Sequence, residues 1–160
     1  MDKEAVIKEA IIKAFPKLAD DSSFEISSPQ DPNYNCIAWA YKLYKDRWMQ
    51  PPKGMRYLDG VTWWPDGKKE GLDINSLVDA FYEIGYRQCD DYKHEEGYIK
   101  VALYYNPLDS KWTHAAREWI DGKYWISKLG QGNDIQHESP YTLEGNIYGK
   151  VYCIMKRSSK

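Results

Sequence analysis

An α+β domain is what the order of patterns in this chain predicts. Helical periodicities fall in the first half, period-two apolar runs fall in the second half, and an Asp-Gly pair joins two of those runs. At 160 residues the chain is expected to be a single domain over 1–160, long enough for one sizeable core. Its expected segments are an N-terminal helix within 1–20, a cysteine-bearing loop and helix over 30–49, an aromatic loop over 53–72, a helix over 73–88, and an antiparallel sheet over 98–156. The helices are expected to pack on that sheet, a β-meander.

Residues 3–15 put Val6, Ile7, Ala10, Ile11 and Ala14 on one side of a helix that Pro16 ends. Phe24 to Ile26 suits a short strand. Pro29, Asp31, Pro32, Asn33 and Asn35 hold the next stretch out of helix until Asn35. From Ile37, apolar residues at Ile37, Ala40, Tyr41, Tyr44 and Trp48 then have the spacing of one buried helical face, which Pro51-Pro52 stop. Gly54, Gly60, Pro65, Gly67 and Gly71 punctuate the stretch that follows, and loops of this length in a compact domain are commonly functional. Asp73 is placed to cap a helix buried through Ile74, Leu77, Val78, Phe81 and Ile84, with Gly85 weakening its end. Tyr98–Tyr105, Trp112–Ile120, Lys123–Leu129 and Val151–Lys156 read as strands. Asp121-Gly122 is a two-residue hairpin signal, and 130–146 reads as loop.

Composition excludes several function classes. With 42% hydrophobic and 29% charged residues the chain is a globular one, and its 15% aromatics suit a lined cleft as well as a core. A formal net charge of −2 gives no electrostatic basis for nucleic-acid binding. The N-terminus is charged throughout, unlike a secretory signal, and no stretch approaches the roughly 20 apolar residues of a membrane span. A cytoplasmic location is expected, with signal-independent export as the other route, and no membrane partner. Cys36, Cys89 and Cys153 are odd in number and irregular in spacing, which fits a reducing compartment. Cys89 and His94 lack a second ligand pair at zinc spacing, so neither a metal nor a cofactor is expected.

Cys36 falls in the first turn of its helix, where unpaired N–H groups and the helix dipole favour a thiolate. A nucleophilic cysteine needs a base, and the chain has three histidines. His94 lies in a charged Lys-His-Glu-Glu patch and is expected to be solvated. His137 lies in the late loop and is expected at the surface. His114 sits in a strand beside small residues. With Asp121-Gly122 as the turn, Glu118 faces Trp125 and Ala116 faces Ser127, so His114 and Ser127 share one sheet face, with Ser127 the polar group able to orient the imidazole. Arg117 and Lys128 fall on the opposite face.

A helix-opening Cys, then a strand His, then a polar residue on the next strand resembles the papain-like cysteine hydrolases, more narrowly their NlpC-type branch. In that branch the Cys follows a polar residue, as Cys36 follows Asn35. The His stands about seven residues before the hairpin turn, as His114 does. The chain is also similar to a group of small bacterial proteins carrying Tyr-Asn-Cys-Ile-Ala-Trp-Ala, His-Ala-Ala-Arg, Ser-Lys-Leu-Gly and Tyr-Gly-x-Val, here Tyr34–Ala40, His114–Arg117, Ser127–Gly130 and Tyr148–Val151. The papain-like resemblance implies an acyl-transfer enzyme with Cys36 as nucleophile, His114 as base and Ser127 as its orienting residue. It further implies an oxyanion donor at Gln30, six residues before the Cys, with Asn35 and Asn33 as competing donors in the same loop. Trp39, Trp63 and Trp64 are candidate cleft walls, and the expected partner is a peptide-like or protein substrate. NlpC-type enzymes place a His, Asn, Asp or Gln where Ser127 stands. That departure keeps open a second expectation, a catalytically degenerate scaffold of toxin-associated or immunity type that binds a partner through 53–72.

Overall fold

The structure, a computed structural model, describes residues 3–28, 55–57, 63–65, 73–83, 85–119, 122–128 and 134–158. In chain order the strands are β1 (Glu25–Ser28), β2 (Met55–Tyr57), β3 (Trp63–Pro65), β4 (Arg87–Cys89), β5 (Tyr98–Asn106), β6 (Lys111–Glu118), β7 (Trp125–Lys128), β8 (Asp134–His137) and β9 (Lys150–Ser158). Seven of them form an antiparallel sheet in the order β1-β8-β7-β6-β5-β9-β4, and β2 and β3 pair separately. β5 to β7 are a meander, as expected, and β8, in a stretch read as loop, extends it. β9 then returns to lie beside β5, so the meander is flanked on both sides rather than open.

Alternation along the strands sorts side chains into two cores. On one face Ala102, Tyr104, Ala116, Trp125, Ile135 and Ile154 pack with Ile11 and Phe15 of the Lys3–Ala14 helix region, and with Leu18, Phe24 and Leu143. On the other face Val101, Leu103, Ala115 and Met155 pack under Ile74, Leu77, Ala80 and Phe81 of the Ile74–Glu83 helix. The interior strand β5 is therefore covered on both sides, which explains why it reads as a nearly continuous apolar run rather than an alternating one.

The helix expected over 73–88 ends at Glu83. Gly85 takes φ +101°, its N–H bonds the Tyr82 carbonyl, and the Tyr86 N–H reaches back to the Phe81 carbonyl. This is a Schellman stop, completed by an edge-on contact between the Phe81 and Tyr86 rings. Gly85 thus terminates the helix, and Arg87–Cys89 leave it as an edge strand on β9. Two stretches read as loop also hold structure. The hairpin β2–β3 lies within 53–72, and β8 with the Pro140–Leu143 3₁₀ turn lies within 130–146. Such three- and four-residue strands, closely bounded by Gly, Pro and Asn, are too short to show a period.

The register worked out from the hairpin holds where it is described: Glu118 pairs with Trp125. Trp119 N–H bonds the Tyr124 carbonyl, and Gly122, at φ +74°, bonds the Trp119 carbonyl. Asp121 lies outside the described residues. Beside Tyr104 the ladder is bulged on both sides, since pairing skips Thr113 of β6 and Tyr152 of β9. The bulge at Thr113 sends Trp112 to the far core while His114 keeps the face of Ala116, a re-aiming typical of strands that present functional groups.

Candidate functional site

His114, Ser127 and His137 are all fully buried and are joined in one line of hydrogen bonds. His114 Nε2 lies 3.0 Å from Ser127 Oγ, Ser127 Oγ lies 2.8 Å from His137 Nε2, and His137 Nδ1 lies 2.8 Å from the Ser139 carbonyl oxygen. Each member is placed by the sheet. Tyr104 pairs with His114 across β5–β6, Ser127 pairs with Ile135, and Trp125 pairs with His137, so a single face carries all three.

The end of the line dictates its direction. A carbonyl oxygen only accepts, so His137 Nδ1 carries the proton that it donates to Ser139. Burial pushes the His137 pKa down to about 4, against smaller upward pulls from the Ser139 hydrogen bond and Asp21, so at neutral pH its Nε2 is a bare acceptor. The single Ser127 proton goes to that nitrogen, and Ser127 Oγ then accepts from His114 Nε2–H. The reverse orientation would set two lone pairs against each other 2.8 Å apart, at a cost of about 1–3 kcal/mol for the buried groups left unsatisfied. His114 is held well below the usual imidazole range by burial first and by His137 second. It is therefore neutral with its proton on Nε2, and its Nδ1 is a lone pair with no hydrogen-bond partner among the described residues.

The surroundings hold this imidazole rigidly. Tyr148 stacks on it at 4.0 Å between ring centroids with planes 3° apart, and Tyr104 packs at 5.1 Å. Thr113, the bulged residue, donates its hydroxyl to the Tyr148 carbonyl, and the Tyr104 hydroxyl donates to the Pro140 carbonyl at 2.6 Å. The Asp21 carboxylate accepts the Glu138 N–H at 2.8 Å and the Ser23 N–H at 2.8 Å, which fixes the chain just after His137.

Of the sequence-derived candidates, the structure brings His114 and Ser127 together. Cys36, Gln30, Asn35 and Trp39 lie outside the described residues, and Trp63 and Trp64 belong to β3. His137 is the correction: expected at the surface, it is buried and completes the line. Its signal was the alternation Ile135-Gln136-His137, too brief to separate from loop. His94 is exposed, with Nδ1 3.4 Å from the buried Glu118 carboxylate. Arg117 is buried on the face opposite His114. Among the described residues no group of His, Cys, Asp or Glu is arranged to hold a metal ion, and no helix is long and apolar enough to cross a membrane.

Residues 25–156 match the family described as Domain of unknown function (DUF7689). The chain belongs to that family. Neither the curated proteins nor the solved structures offer a match. The DUF7689 span begins at the first residue of β1 and ends in β9. It contains all of the sheet but the last two residues of β9, together with the three hydrogen-bonded side chains, and leaves out the Lys3–Ala14 helix that covers one face.

Proposed function

We propose that this DUF7689 protein is a papain-like, NlpC-type cysteine hydrolase that cleaves an amide, isopeptide or thioester in a peptide-like or protein substrate. One observation carries the reading: a rigid, buried, neutral histidine whose Nε2 is tied through Ser127 and whose Nδ1 is a lone pair with no partner among the described residues. That is the preparation a general base needs.

Chain geometry leaves room for Cys36 to meet it. Ser28 pairs with Asp134, and Asp134 with Lys128, one row from the level of His114 at the same end of the sheet. From β1 to β6 is three interstrand spacings, about 14 Å. The eight residues from 29 to 36 reach at most about 28 Å.

In the reaction, Cys36 Sγ bonds to the substrate carbonyl carbon as His114 Nδ1 takes the thiol proton. The oxyanion is held by the Cys36 N–H and an amide from Gln30 or Asn35. Collapse breaks the bond to the leaving amine or thiol, which receives the proton from His114. Water then attacks the thioester, His114 takes its proton, and Sγ leaves with that proton. While charged, the imidazolium lies against the Tyr148 ring, whose π face favours a cation.

Alkylation with iodoacetamide across pH, mapped by peptide mass spectrometry, tests this. Burial pushes the Cys89 thiol up and the Cys153 thiol up to about 12, so both label slowly near neutrality. Cys36 is expected to label first, already below about pH 7. Labelling of Cys36 only at alkaline pH, at the pace of Cys89, would remove the nucleophile.

A further inference from the structure

We infer that His137, acting through Ser127, is a positioning residue that decides which nitrogen of His114 carries the proton. This rests on the hydrolase reading for its consequence but not for its geometry. A serine hydroxyl is an ambiguous orienter. It can accept from His114 Nε2–H, which leaves Nδ1 basic, or turn its own proton toward a bare Nε2, which puts the imidazole proton on Nδ1 and removes the base. Ser127 by itself does not choose between these.

His137 removes the ambiguity by occupying the Ser127 proton. Its Nε2 is 2.8 Å from Ser127 Oγ, and its own proton is committed at Nδ1 to the Ser139 carbonyl, which also accepts from the Thr142 hydroxyl at 2.8 Å. All donors in the line therefore point the same way, from His114 to the backbone. The line does what a carboxamide or carboxylate does for a histidine elsewhere, with two side chains sharing the work. A chain with Ser127 but no acceptor behind it would have a base of mixed tautomer.

Side-chain ¹⁵N NMR of the full chain tests this directly. In the wild type, His114 is expected with Nε2 protonated and Nδ1 bare, and His137 with Nδ1 protonated and Nε2 bare. In His137→Leu, His114 is expected to shift toward the Nδ1–H form, and Cys36 alkylation at neutral pH to slow on the order of tenfold. His137→Gln, whose amide can accept from Ser127 and donate to Ser139, is expected to restore the tautomer and most of the rate. Should His137→Leu fail to fold, Ser127→Ala breaks the line with a smaller change and is expected to release the His114 tautomer likewise. A wild-type His114 protonated on Nδ1, or a tautomer unmoved in whichever broken-line variant folds, would overturn the inference. The expected tautomers with an inert Cys36 would leave it standing and defeat only the hydrolase.

Discussion

Two histidine sites lie on the same face of the sheet and handle protons in opposite ways. His114 and His137 are sealed from water, neutral, and linked through a hydroxyl to a backbone carbonyl. His94, at the hairpin, is partly exposed and faces the Glu118 carboxylate, which also accepts the Lys100 N–H at 3.1 Å. In the first site every group accepts or donates by necessity, so a proton position is defined. In the second, solvent and a carboxylate both reach the imidazole, so no chain of obligate partners sets its tautomer. The difference teaches where a base can be built: burial lowers basicity, but it fixes the tautomer and leaves one nitrogen without a partner among the described residues.

The largest effect expected is from His114→Ala, which removes the lone pair. Cys36 alkylation at neutral pH, and any hydrolysis assayed, should fall about a hundredfold or more, whereas His94→Ala should leave both within about twofold. Equal losses from the two variants would erase the distinction between the sites.

Acid should separate them next. The folded pKa of His137 lies near 4, below the unfolded value near 6.5, so the unfolded chain takes up the proton first. Its contribution is complete above about pH 6.5 and is lost as pH falls toward 4. The slope is about 1.4 kcal/mol per pH unit for each such histidine, with His114 adding in the same direction. Glu118 has the reverse sign: burial raises its folded pKa, so protonation on acidification favours the fold. Urea unfolding between pH 7 and 4 should therefore show a flatter dependence for His137→Gln and a steeper one for Glu118→Gln.

A smaller effect follows at the hairpin. Gly122 sits at φ +74°, and a Cβ there would come within 2.3 Å of the His94 ring. Gly122→Ala should cost about 1–2 kcal/mol in denaturant unfolding, and Gly122→Ala in a His94→Ala background less, the remainder being backbone strain. Smallest is His94→Gln, expected to change stability by less than about 1 kcal/mol with the His114 tautomer untouched.

Much of the frame that holds the site was legible because it depends on long runs and one turn. Most of β5 and β9, read as Tyr98–Tyr105 and Val151–Lys156, and the Glu118–Trp125 register follow from apolar pattern and an Asp-Gly pair. What was missed depends on contacts that a short segment cannot advertise. β8 is four residues long, so the alternation that buries His137 has no length to show itself. Gly85 was visible as a weak point, but only the Phe81–Tyr86 contact makes it a stop from which β4 departs. Ser127 read alone was a poor steadying group. Its competence comes from His137, which sequence placed in a loop.

The central claim is that the His114 line exists to leave Nδ1 for Cys36. A crystal structure of the full chain with its thiols reduced measures this directly. The account predicts Cys36 Sγ within about 4 Å of His114 Nδ1, the reach of a nucleophile and its base. A Cys36 sulfur elsewhere, with Nδ1 bonded to another group, would contradict it.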